Sequence, residues 1–453
     1  MEIKVRERAL VKPAEKTPGE SIWLSSVDLS NNHVYARIVY FYRPNGASNF
    51  FNSTLLKEAL SKVLVPFYPM AGRFRHGNSG RLEIDCNDEG VLLVVADSSF
   101  TVDDFGDFAP TPELRKLIPN VEFSGDFSSY PFMVSQVTYF KCGGVSLGVG
   151  VEHHVVDGFS AFHIVSSWSH VARGLDPKIP PFLDRTILRP RDPPQPKFDH
   201  IEYQLPPVMK SSKQNTKSHL GDQSLKIVLF KVTREQLNTL RAKAKESGGS
   251  TIHYSTFEIL GGHIWKCTCI ARALPKDQET RFYFPVNGRY SRLKPPLPSG
   301  YFGSAVFQAT SIAMAGDLQS KPLWYAVSRI HETLVHFDND YLRSAIDYLE
   351  LHPGTKRLGP YNLRSPNVTI TSWGGMPTYD TDFGWGRPYY VGPGGILNSA
   401  EGMVYYFHSV NKEEGLFVAI ALQCEHMKVF EKLFYECDDE TKQVKNSVGR
   451  ANL

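Results

Sequence analysis

The chain has 453 residues, of which 42% are hydrophobic, 12% aromatic and 21% charged, so it can bury a large core and lacks the composition of a disordered segment. Its 50 basic and 47 acidic residues leave a formal charge of +3, which is too small to indicate a nucleic-acid-binding surface. At about 150 residues per domain, this length predicts two large domains.

The N-terminal segment, residues 1–8, mixes charges where a secretory signal requires an apolar core. No apolar run reaches the roughly 18 residues that a membrane span needs. The six cysteines are scattered, and only Cys267 and Cys269 lie close together, without a second pair or a histidine cluster for zinc. These features predict a cytoplasmic protein with free thiols and no membrane association.

The first elements of the chain alternate between strands and helices. Residues 39–42 are apolar and aromatic and predict a strand. Leucines at helical spacing predict a helix over residues 52–64, which Pro66 ends because proline cannot donate to the helical hydrogen bonds.

Two hairpins are predicted in the next part of the chain. Residues 81–86 and 90–95 flank the polar turn at residues 87–89 and predict the first hairpin. Residues 133–141 and 145–152 predict the second, because Gly143 and Gly144 supply the backbone freedom of a tight turn.

The most informative segment is His153-His154-Val155-Val156-Asp157-Gly158, which directly follows the apolar run over residues 144–151. The His-x-x-x-Asp spacing alone is weak evidence, and it recurs among charged residues at His336 and Asp340. His153 ends a predicted buried strand, and a neutral imidazole can take a proton near neutral pH. The sequence therefore favours His153 as a general base, with a purely structural strand-end histidine as the alternative.

A helix predicted over residues 161–173 ends at Gly174, so the motif lies between a strand and a helix. Residues 177–223 then turn to proline, aspartate, lysine and serine, which indicates a linker.

The second half of the chain restarts with a strand at residues 225–232 and a helix at 234–245. It closes with a strand at 416–422 and a helix at 426–435. We therefore predict an N-terminal domain over residues 1–190, a proline-rich crossover linker over 191–224 and a C-terminal domain over 225–453.

Two further segments complete the pattern. Asp382-Phe383-Gly384-Trp385-Gly386 lies in the last fifth of the chain, and Asn287-Gly288-Arg289 precedes Pro295-Pro296. Together with the His153 motif, this order resembles the plant BAHD acyl-CoA-dependent acyltransferases, nearly from end to end. Within that family the chain is most similar to the hydroxycinnamoyl-CoA shikimate/quinate hydroxycinnamoyltransferase group, through residues 65–73, 140–144, 340–345 and 371–373.

The resemblance implies an α/β fold with mixed (α+β) sheets, in two domains of the chloramphenicol acetyltransferase architecture. A solvent channel is expected between the domains, with coenzyme A entering at one mouth and the acceptor at the other. The acyl group passes directly to the acceptor, so acyl-CoA is a co-substrate and no metal or bound cofactor is implied. The implied partners are small molecules, without nucleic acid or membrane, and relatives act as monomers.

The resemblance also assigns roles at the reaction centre. His153 is the base, and Trp373 holds the thioester oxygen as a hydrogen-bond donor, with a tryptophan that merely packs as an equal alternative. Thr371 accompanies Trp373, and Tyr40 matches an aromatic residue that lines the site, although strand aromatics more often pack in a core. His154 should face the opposite side of the strand and be structural.

The remaining motif residues are expected to be structural. Asp157 should pair with an arginine instead of orienting the imidazole, and Gly158 should allow a sharp turn. Asp382 is expected to lie away from the site and to pair with Arg289. The structural residues of the motifs are thus Asp157, Gly158, Arg289, Asp382, Gly384 and Gly386.

Coenzyme A carries phosphates, so cations are expected at its mouth of the channel. Arg289, Arg292 and Lys294 lie in the segment that the resemblance indicates, and Ser255 is a further candidate. A solvated loop would have the same composition. The loop over residues 288–292 is one residue longer than the family pattern, which puts the role of Arg292 in question.

The acceptor end departs from the shikimate and quinate enzymes, in which a Trp-Val-Arg-Leu-Pro segment supplies an arginine that clamps the acceptor carboxylate. Here the segment reads Trp373-Gly374-Gly375-Met376-Pro377. Loss of such a contact typically costs about 1.5 to 3 kcal/mol of binding. A His-Thr-Pro stretch reads Tyr35-Ala36-Arg37, and the segment over residues 352–366 is shortened. Arg37 either restores a cation or faces solvent.

These features predict transfer of a hydroxycinnamoyl group, such as p-coumaroyl or caffeoyl, from coenzyme A to an alcohol or amine acceptor other than shikimate or quinate. The double glycine favours a larger, neutral or amine acceptor. The alternative is an ordinary shikimate/quinate O-hydroxycinnamoyltransferase that holds the carboxylate with another cation. A thioesterase, or a non-catalytic relative that binds phenylpropanoids, ranks below both.

Overall fold

A computed structural model describes residues 2–121, 127–209, 225–245, 252–357, 362–396, 400–409 and 415–436. Two six-stranded mixed sheets and a three-stranded sheet form the framework, with helices packed against them. Two large clusters of buried apolar side chains follow the two six-stranded sheets. The predicted mixed α/β fold with two sheet-containing domains is confirmed.

The first sheet comes mainly from the N-terminal half. In spatial order its strands are β1 (Ile3–Val11), β6 (Val91–Ser98), β7 (Met133–Phe140), β8 (Val145–Glu152), β3 (Tyr35–Tyr42) and β13 (Tyr390–Pro393). Only β6 and β7 are parallel to each other, and the other neighbours are antiparallel. Every residue of β8 is buried, as its uninterrupted apolar sequence predicts for an interior strand.

The second sheet comes from the C-terminal half. In spatial order its strands are β11 (Val306–Met314), β10 (Glu279–Asn287), β12 (Val368–Ser372), β14 (Met403–His408), β15 (Leu416–Gln423) and β9 (Leu225–Val232). β12 runs parallel to both of its neighbours, and the other pairs are antiparallel. The three-stranded sheet consists of β2 (Ser21–Trp23), β5 (Leu82–Asp85) and β4 (Arg73–His76).

Several helices begin at a polar residue whose side chain caps the first turn. The α-helices are α1 (Ser26–Leu29), α2 (Ser53–Val63), α3 (Pro112–Arg115), α4 (Gly158–Ala172), α5 (Arg234–Lys245), α6 (Thr256–Ala271), α7 (Ala315–Ser320), α8 (Leu323–His336), α9 (Asn339–Leu351) and α10 (Cys424–Tyr435). Asn52, Asp157 and Ser255 cap α2, α4 and α6 by accepting backbone N–H groups of the first turn. Among the described residues, no helix has the length and apolar character to cross a bilayer.

One of the two predicted hairpins is confirmed and the other is wrong. β7 and β8 pair in antiparallel fashion across the turn at Gly143, whose φ is 81°. β5 and β6, predicted to pair, lie in different sheets: β5 between β2 and β4, and β6 between β1 and β7. The largely buried β6 has apolar side chains on both faces, which suits an interior position in the large sheet.

The predicted division at residues 190 and 225 differs from the structure in one respect. β13 lies far beyond residue 225, yet it pairs with β3 in the first sheet. Phe383 and Trp385 likewise pack in the core of the first sheet. The C-terminal half therefore contributes a segment to the N-terminal sheet and is tied to it. Of the predicted linker, residues 210–224 lie outside the described part of the chain.

Cysteine use agrees with a chain of free thiols as far as it is described. Among the described residues, no disulfide joins Cys86, Cys142, Cys267, Cys269 or Cys424. Cys437 lies outside the described residues.

Candidate active site

A cavity of about 510 Å³ is lined by both halves of the chain. The N-terminal half contributes His153 at the end of β8 and Phe162 from α4, and the C-terminal half contributes Phe284 of β10 and Trp373 after β12. Its size and its aromatic walls are typical of a site for a small organic ligand. The channel with two mouths stays a prediction.

His153 is positioned by the strand that it follows. Its backbone N–H donates to the carbonyl oxygen of Val34 at 3.1 Å, which continues the pairing of β8 with β3. Its Nδ1 atom is enclosed by protein and has no hydrogen-bond partner among the described residues. His153 lines the cavity.

The His153 imidazole is held neutral. The pKa of His153 is lowered to about 4, chiefly by burial and next by the positive charge of Arg357. The charges of Asp157 and Glu152 act in the opposite direction. A group that must accept a proton has to be unprotonated beforehand. The site therefore keeps His153 in its basic form at neutral pH, at the cost of a weaker proton affinity.

Asp157 turns away from His153 and forms a buried ion pair with Arg289. The Arg289 Nη1 atom donates to Asp157 Oδ2 at 2.6 Å, and Nη2 donates to Oδ1 at 3.1 Å. Asp157 also accepts the N–H groups of Ser160 and Ala305. Burial disfavours the charged carboxylate, yet the charge and hydrogen bonds of Arg289 with these N–H groups keep the pKa of Asp157 below its usual value.

Two expectations about the motif residues are wrong. Asp382 does not pair with Arg289; it accepts the N–H groups of Gly384 and Gly386 at 2.8 and 3.0 Å, because Asp157 already occupies the guanidinium. Both glycines have φ above 100°, so they allow the loop that Asp382 closes. Gly158 makes no special turn but is the first residue of α4, where a Cβ would lie 3.0 Å from Met376 Cε.

Trp373, Thr371 and Gly375 all line the cavity. The indole ring of Trp373 packs edge-on against Phe162 and Tyr405, with ring centroids 5.4 and 5.9 Å apart. Its backbone N–H donates to Tyr406 at 2.8 Å, which fixes the chain at the end of β12. At Gly375 an added Cβ would meet nothing within 4 Å, so the missing family arginine leaves open space.

Of the three residues expected at the acceptor end, Tyr35 and Arg37 line the cavity and Tyr40 does not. Tyr35 lines the cavity with its ring, while its hydroxyl donates to Pro131 O at 2.5 Å. Arg37 also lines the cavity and is half-buried, so it does not simply face solvent. Tyr40 is fully buried in the core of the first sheet, edge-on to Phe162, and does not line the cavity. The expectation for Tyr40 is wrong because its side chain points to the helix-covered face of β3.

Among the residues expected to bind coenzyme A, only Arg292 lines the cavity, and it donates to the carbonyl oxygens of Leu334 and Phe337. Arg289 is committed to Asp157 and is only 8% exposed, so it is not a free cation for a phosphate. Lys294 is exposed, and Ser255 caps α6, whose residue Phe257 lines the cavity. Roles for Arg292, Lys294 and Ser255 in binding coenzyme A stay predictions.

The sequence did not indicate a hydrogen-bonded network behind His153. Glu152 Oε1 lies 2.9 Å from His154 Nδ1 and 3.1 Å from His33 Nδ1, and Lys356 Nζ lies 3.2 Å from His154 Nε2. An ammonium group only donates, so His154 Nε2 accepts and its Nδ1 donates to Glu152. His154 is thus structural, as expected. Arg357, next to Lys356, lines the cavity and was also missed.

A buried, neutral histidine and aromatic side chains form the candidate site, and comparisons with known proteins give the class. The chain matches the profile of the Transferase family over residues 1–437. It is 55% identical to shikimate O-hydroxycinnamoyltransferase of Nicotiana tabacum, over 96% of this chain and 100% of the relative. It is 46% identical to hydroxycinnamoyl-CoA:5-hydroxyanthranilate N-hydroxycinnamoyltransferase of Avena sativa, over 96% and 99%.

The fold agrees with this assignment. The crystal structure of vinorine synthase superposes with a TM-score of 0.71 at 21% identity, over 94% of this chain and 96% of that one. The protein is therefore an acyltransferase of the acyl-CoA-dependent type. It belongs to the Transferase family, the plant BAHD acyltransferases, as the motifs indicate.

The acidic limb of the activity profile is expected near pH 4. The pKa of His153 is lowered from 6.5 to about 4, so the imidazole remains a base between these values and is protonated only as the pH falls through the lower one. The measurement is kcat/KM from about pH 4 to about pH 8, with circular dichroism at each pH to verify folding. A half-maximal point near 6.5 would contradict the assignment.

Asp157→Asn should lower the free energy of unfolding by about 3 to 5 kcal/mol, because it leaves Arg289 charged and buried without a counterion. Asp97→Asn is the matched control, since Asp97 pairs with Arg6 at an exposed site. That change should cost less than about 1 kcal/mol. Denaturant unfolding of both variants gives the comparison, and equal losses would be inconsistent with this account.

Proposed function

We propose that the protein transfers a hydroxycinnamoyl group, such as p-coumaroyl or caffeoyl, from coenzyme A to an alcohol or amine acceptor other than shikimate or quinate. The observation that carries the proposal is the neutral His153 imidazole in a cavity that also contains Trp373 and the open space at Gly375. The protein acts in the cytoplasm as a monomer.

The donor is supported by the relatives and by the cavity walls. The relatives from Nicotiana tabacum and Avena sativa are both named as hydroxycinnamoyl transferases. Phe162, Phe284 and Tyr405 give the cavity flat aromatic surfaces that suit a planar phenylpropenoyl group. Coenzyme A is a substrate that leaves with each turnover, so the reaction requires no resident cofactor.

The chemistry needs one proton carrier and one hydrogen-bond donor. His153 Nε2 takes the proton of the acceptor O–H or N–H as the acceptor attacks the thioester carbonyl carbon. The Trp373 indole N–H stabilises the negative charge that develops on the carbonyl oxygen. When the carbon–sulfur bond breaks, the imidazolium returns the proton to the thiolate of coenzyme A, and the base is restored.

The exclusion of shikimate and quinate rests on position 375. The shikimate and quinate enzymes that the chain resembles have an arginine in this segment, and here the segment has no cation and no side chain that fills the space. A carboxylate placed beside Gly375 would lose a charge-assisted contact of about 1.5 to 3 kcal/mol. The pocket at this wall therefore suits a larger or differently shaped acceptor.

The second candidate is an ordinary shikimate/quinate O-hydroxycinnamoyltransferase. It is favoured by the name of the Nicotiana tabacum relative, at 55% identity over its full length. It would require another cation on the cavity wall, and Arg37 and Arg357 both line the cavity. A thioesterase or a silent relative would need a site that lacks a working base or an acceptor pocket, and neither is favoured here.

His153→Ala should lower kcat for transfer from p-coumaroyl-CoA by about 10² to 10⁴, the usual contribution of a general base. Binding of coenzyme A should survive, because the substitution leaves the cavity walls in place. Steady-state kinetics and calorimetric titration with coenzyme A measure the two quantities. His336→Ala is the matched control, since His336 has the same spacing to an aspartate but lies at the end of α8. Full transfer activity in His153→Ala would refute the assignment.

Acceptor profiling with p-coumaroyl-CoA should show poor turnover of shikimate and quinate and better turnover of aromatic amines, polyamines or other hydroxy acids. Gly375→Arg should improve shikimate turnover by about 10-fold to 100-fold, because open space at residue 375 lets the side chain enter and restore the contact. Rapid shikimate turnover by the wild-type protein would favour the second candidate. Release of free thiol without any acceptor would point to a thioesterase.

A further inference from the structure

Arg357 is a buried cation on the cavity wall. It follows α9 on a segment that reaches the N-terminal half, and its side chain is only 9% exposed. Its Nε atom is enclosed and has no hydrogen-bond partner, and its side chain forms no hydrogen bond or ion pair with any described residue. Burial lowers the pKa of Arg357, but a guanidinium remains charged at any physiological pH. Asp157, which is itself paired with Arg289, offsets part of this charge, and no described carboxylate pairs directly with Arg357.

The other buried arginines of the described chain show what is missing. Arg73, Arg185, Arg272 and Arg289 each have a carboxylate partner within 3.1 Å, namely Glu89, Asp28, Glu401 and Asp157 in that order. Buried charges are normally paired because removal from water is costly. Arg357 alone among these five lacks a protein counterion and is also the only unpaired one that lines the cavity. A ligand is therefore the natural source of the missing anion.

The backbone around Arg357 is fixed rather than loosely placed. Its N–H donates to Ser30 O at 2.6 Å. The neighbouring Lys356 donates to Leu29 O at 2.9 Å and reaches His154 Nε2 at 3.2 Å. These contacts tie the segment to the strand end that carries His153. Arg357 is thus held in place before any ligand binds, as a selective binding group should be.

We infer, resting on the acyltransferase function proposed above, that Arg357 binds the carboxylate of an anionic acceptor. Arg357 and His153 line the same cavity, so an acceptor held by Arg357 shares that cavity with the proposed base. A planar guanidinium suits a two-pronged contact with a carboxylate. This deepens the proposed function, since it narrows the acceptor from any alcohol or amine to one that also carries an acid group.

Other anions fit this place poorly. The phosphates of coenzyme A are separated from the thioester by the pantetheine arm, whereas Arg357 lines the same cavity as His153. The phenol of a hydroxycinnamoyl group is neutral near pH 7, because its pKa is about 10. Arg37, the other unassigned cation at the acceptor end, acts on Arg115, Tyr405 and Tyr35 and not on His153. The acceptor acid group is left as the partner of Arg357.

Binding of the acid would also change the base. Three charged groups act electrostatically on His153: Arg357 lowers its pKa, and Asp157 and Glu152 raise it. A carboxylate on Arg357 offsets the one positive charge in this set. His153 then has a higher proton affinity when the acceptor is bound, and the acidic limb of kcat should lie at a higher pH than the limb of kcat/KM for an acid acceptor.

The binding experiment compares three free acids, shikimate, quinate and anthranilate, with their methyl esters. For at least one of these pairs, the free acid should raise the midpoint temperature of thermal unfolding of the wild-type chain more than the methyl ester does. This difference should vanish in Arg357→Met and persist in Arg37→Met. No difference in the wild type, or a difference that survives in Arg357→Met, would overturn the proposal. Loss in Arg37→Met alone would assign the acid to Arg37 instead.

The kinetic experiment uses p-coumaroyl-CoA with the acid that binds best and with its ester. Arg357→Met should raise the ratio of KM for the acid to KM for the ester by about 10-fold to 100-fold. Arg357→Lys, which keeps the charge, should fall between. Equal losses of kcat for acid and ester would show an effect on the reaction centre or the fold and would refute the proposal. If no hydroxycinnamoyl transfer occurs at all, the proposed function fails, while the binding experiment still decides the role of Arg357.

Stability of the ligand-free chain gives an independent readout. Removal of an unpaired buried charge should stabilise the fold, so Arg357→Met should unfold at a higher denaturant concentration than the wild type. Arg272→Met is the matched control and should unfold at a lower concentration, because it breaks a buried pair with Glu401. A loss of stability in Arg357→Met as large as in the control would mean that the protein itself partners Arg357, and would contradict the inference.

Discussion

The buried ion pair between Asp157 and Arg289 is the interaction on which the rest of the site depends. Asp157 starts α4 as its N-cap, lies four residues after His153 and accepts an N–H from Ala305 next to β11. Arg289 also donates to Gly303 O at 3.0 Å. One carboxylate thus holds the end of the base-carrying strand, the start of a helix and two loops of the other half. Because separating the pair would leave both charges buried without a partner, which is costly, these parts keep one relative position.

The need to hold both halves in one position also explains why the motif at residues 382–386 lies away from the cavity. Phe383 and Trp385 pack against Phe51, with ring centroids 5.8 and 5.1 Å away, and the Trp385 indole donates to Asn49. The chain then continues into β13, which joins the first sheet beside β3. A cavity lined by both halves keeps its shape only if the halves do not slide. Phe383 and Trp385 pack in the core of the first sheet and do not line the cavity.

Sequence patterns predicted what is local and failed where a partner is distant in the chain. The helix over residues 234–245 and the turn of the β7–β8 hairpin follow from spacing and glycine position, and the structure has both. The buried strand that ends just before His153 followed from the same reasoning, while His153 as the base stays a prediction. The pairing of Asp382 with Arg289 was wrong because many carboxylates can reach a given arginine, and only the fold shows that Asp157 takes it. Gly158 was misread for a similar reason, since the space it leaves is filled by Met376.

Arg357 could not be identified from the sequence, because its distinguishing feature is that no described residue forms an ion pair with it. A chain that buries an arginine beside its own catalytic histidine loses stability and weakens its base, and both losses end when an anion arrives. Such a cost is tolerable at a position where the ligand completes the ion pair. The family arginine that is missing at position 375 would lie in the segment that follows β12. With Arg357 in the loop after α9 as the cation, the acid group of the acceptor is still bound by an arginine. Its binding is then coupled to the proton affinity of His153.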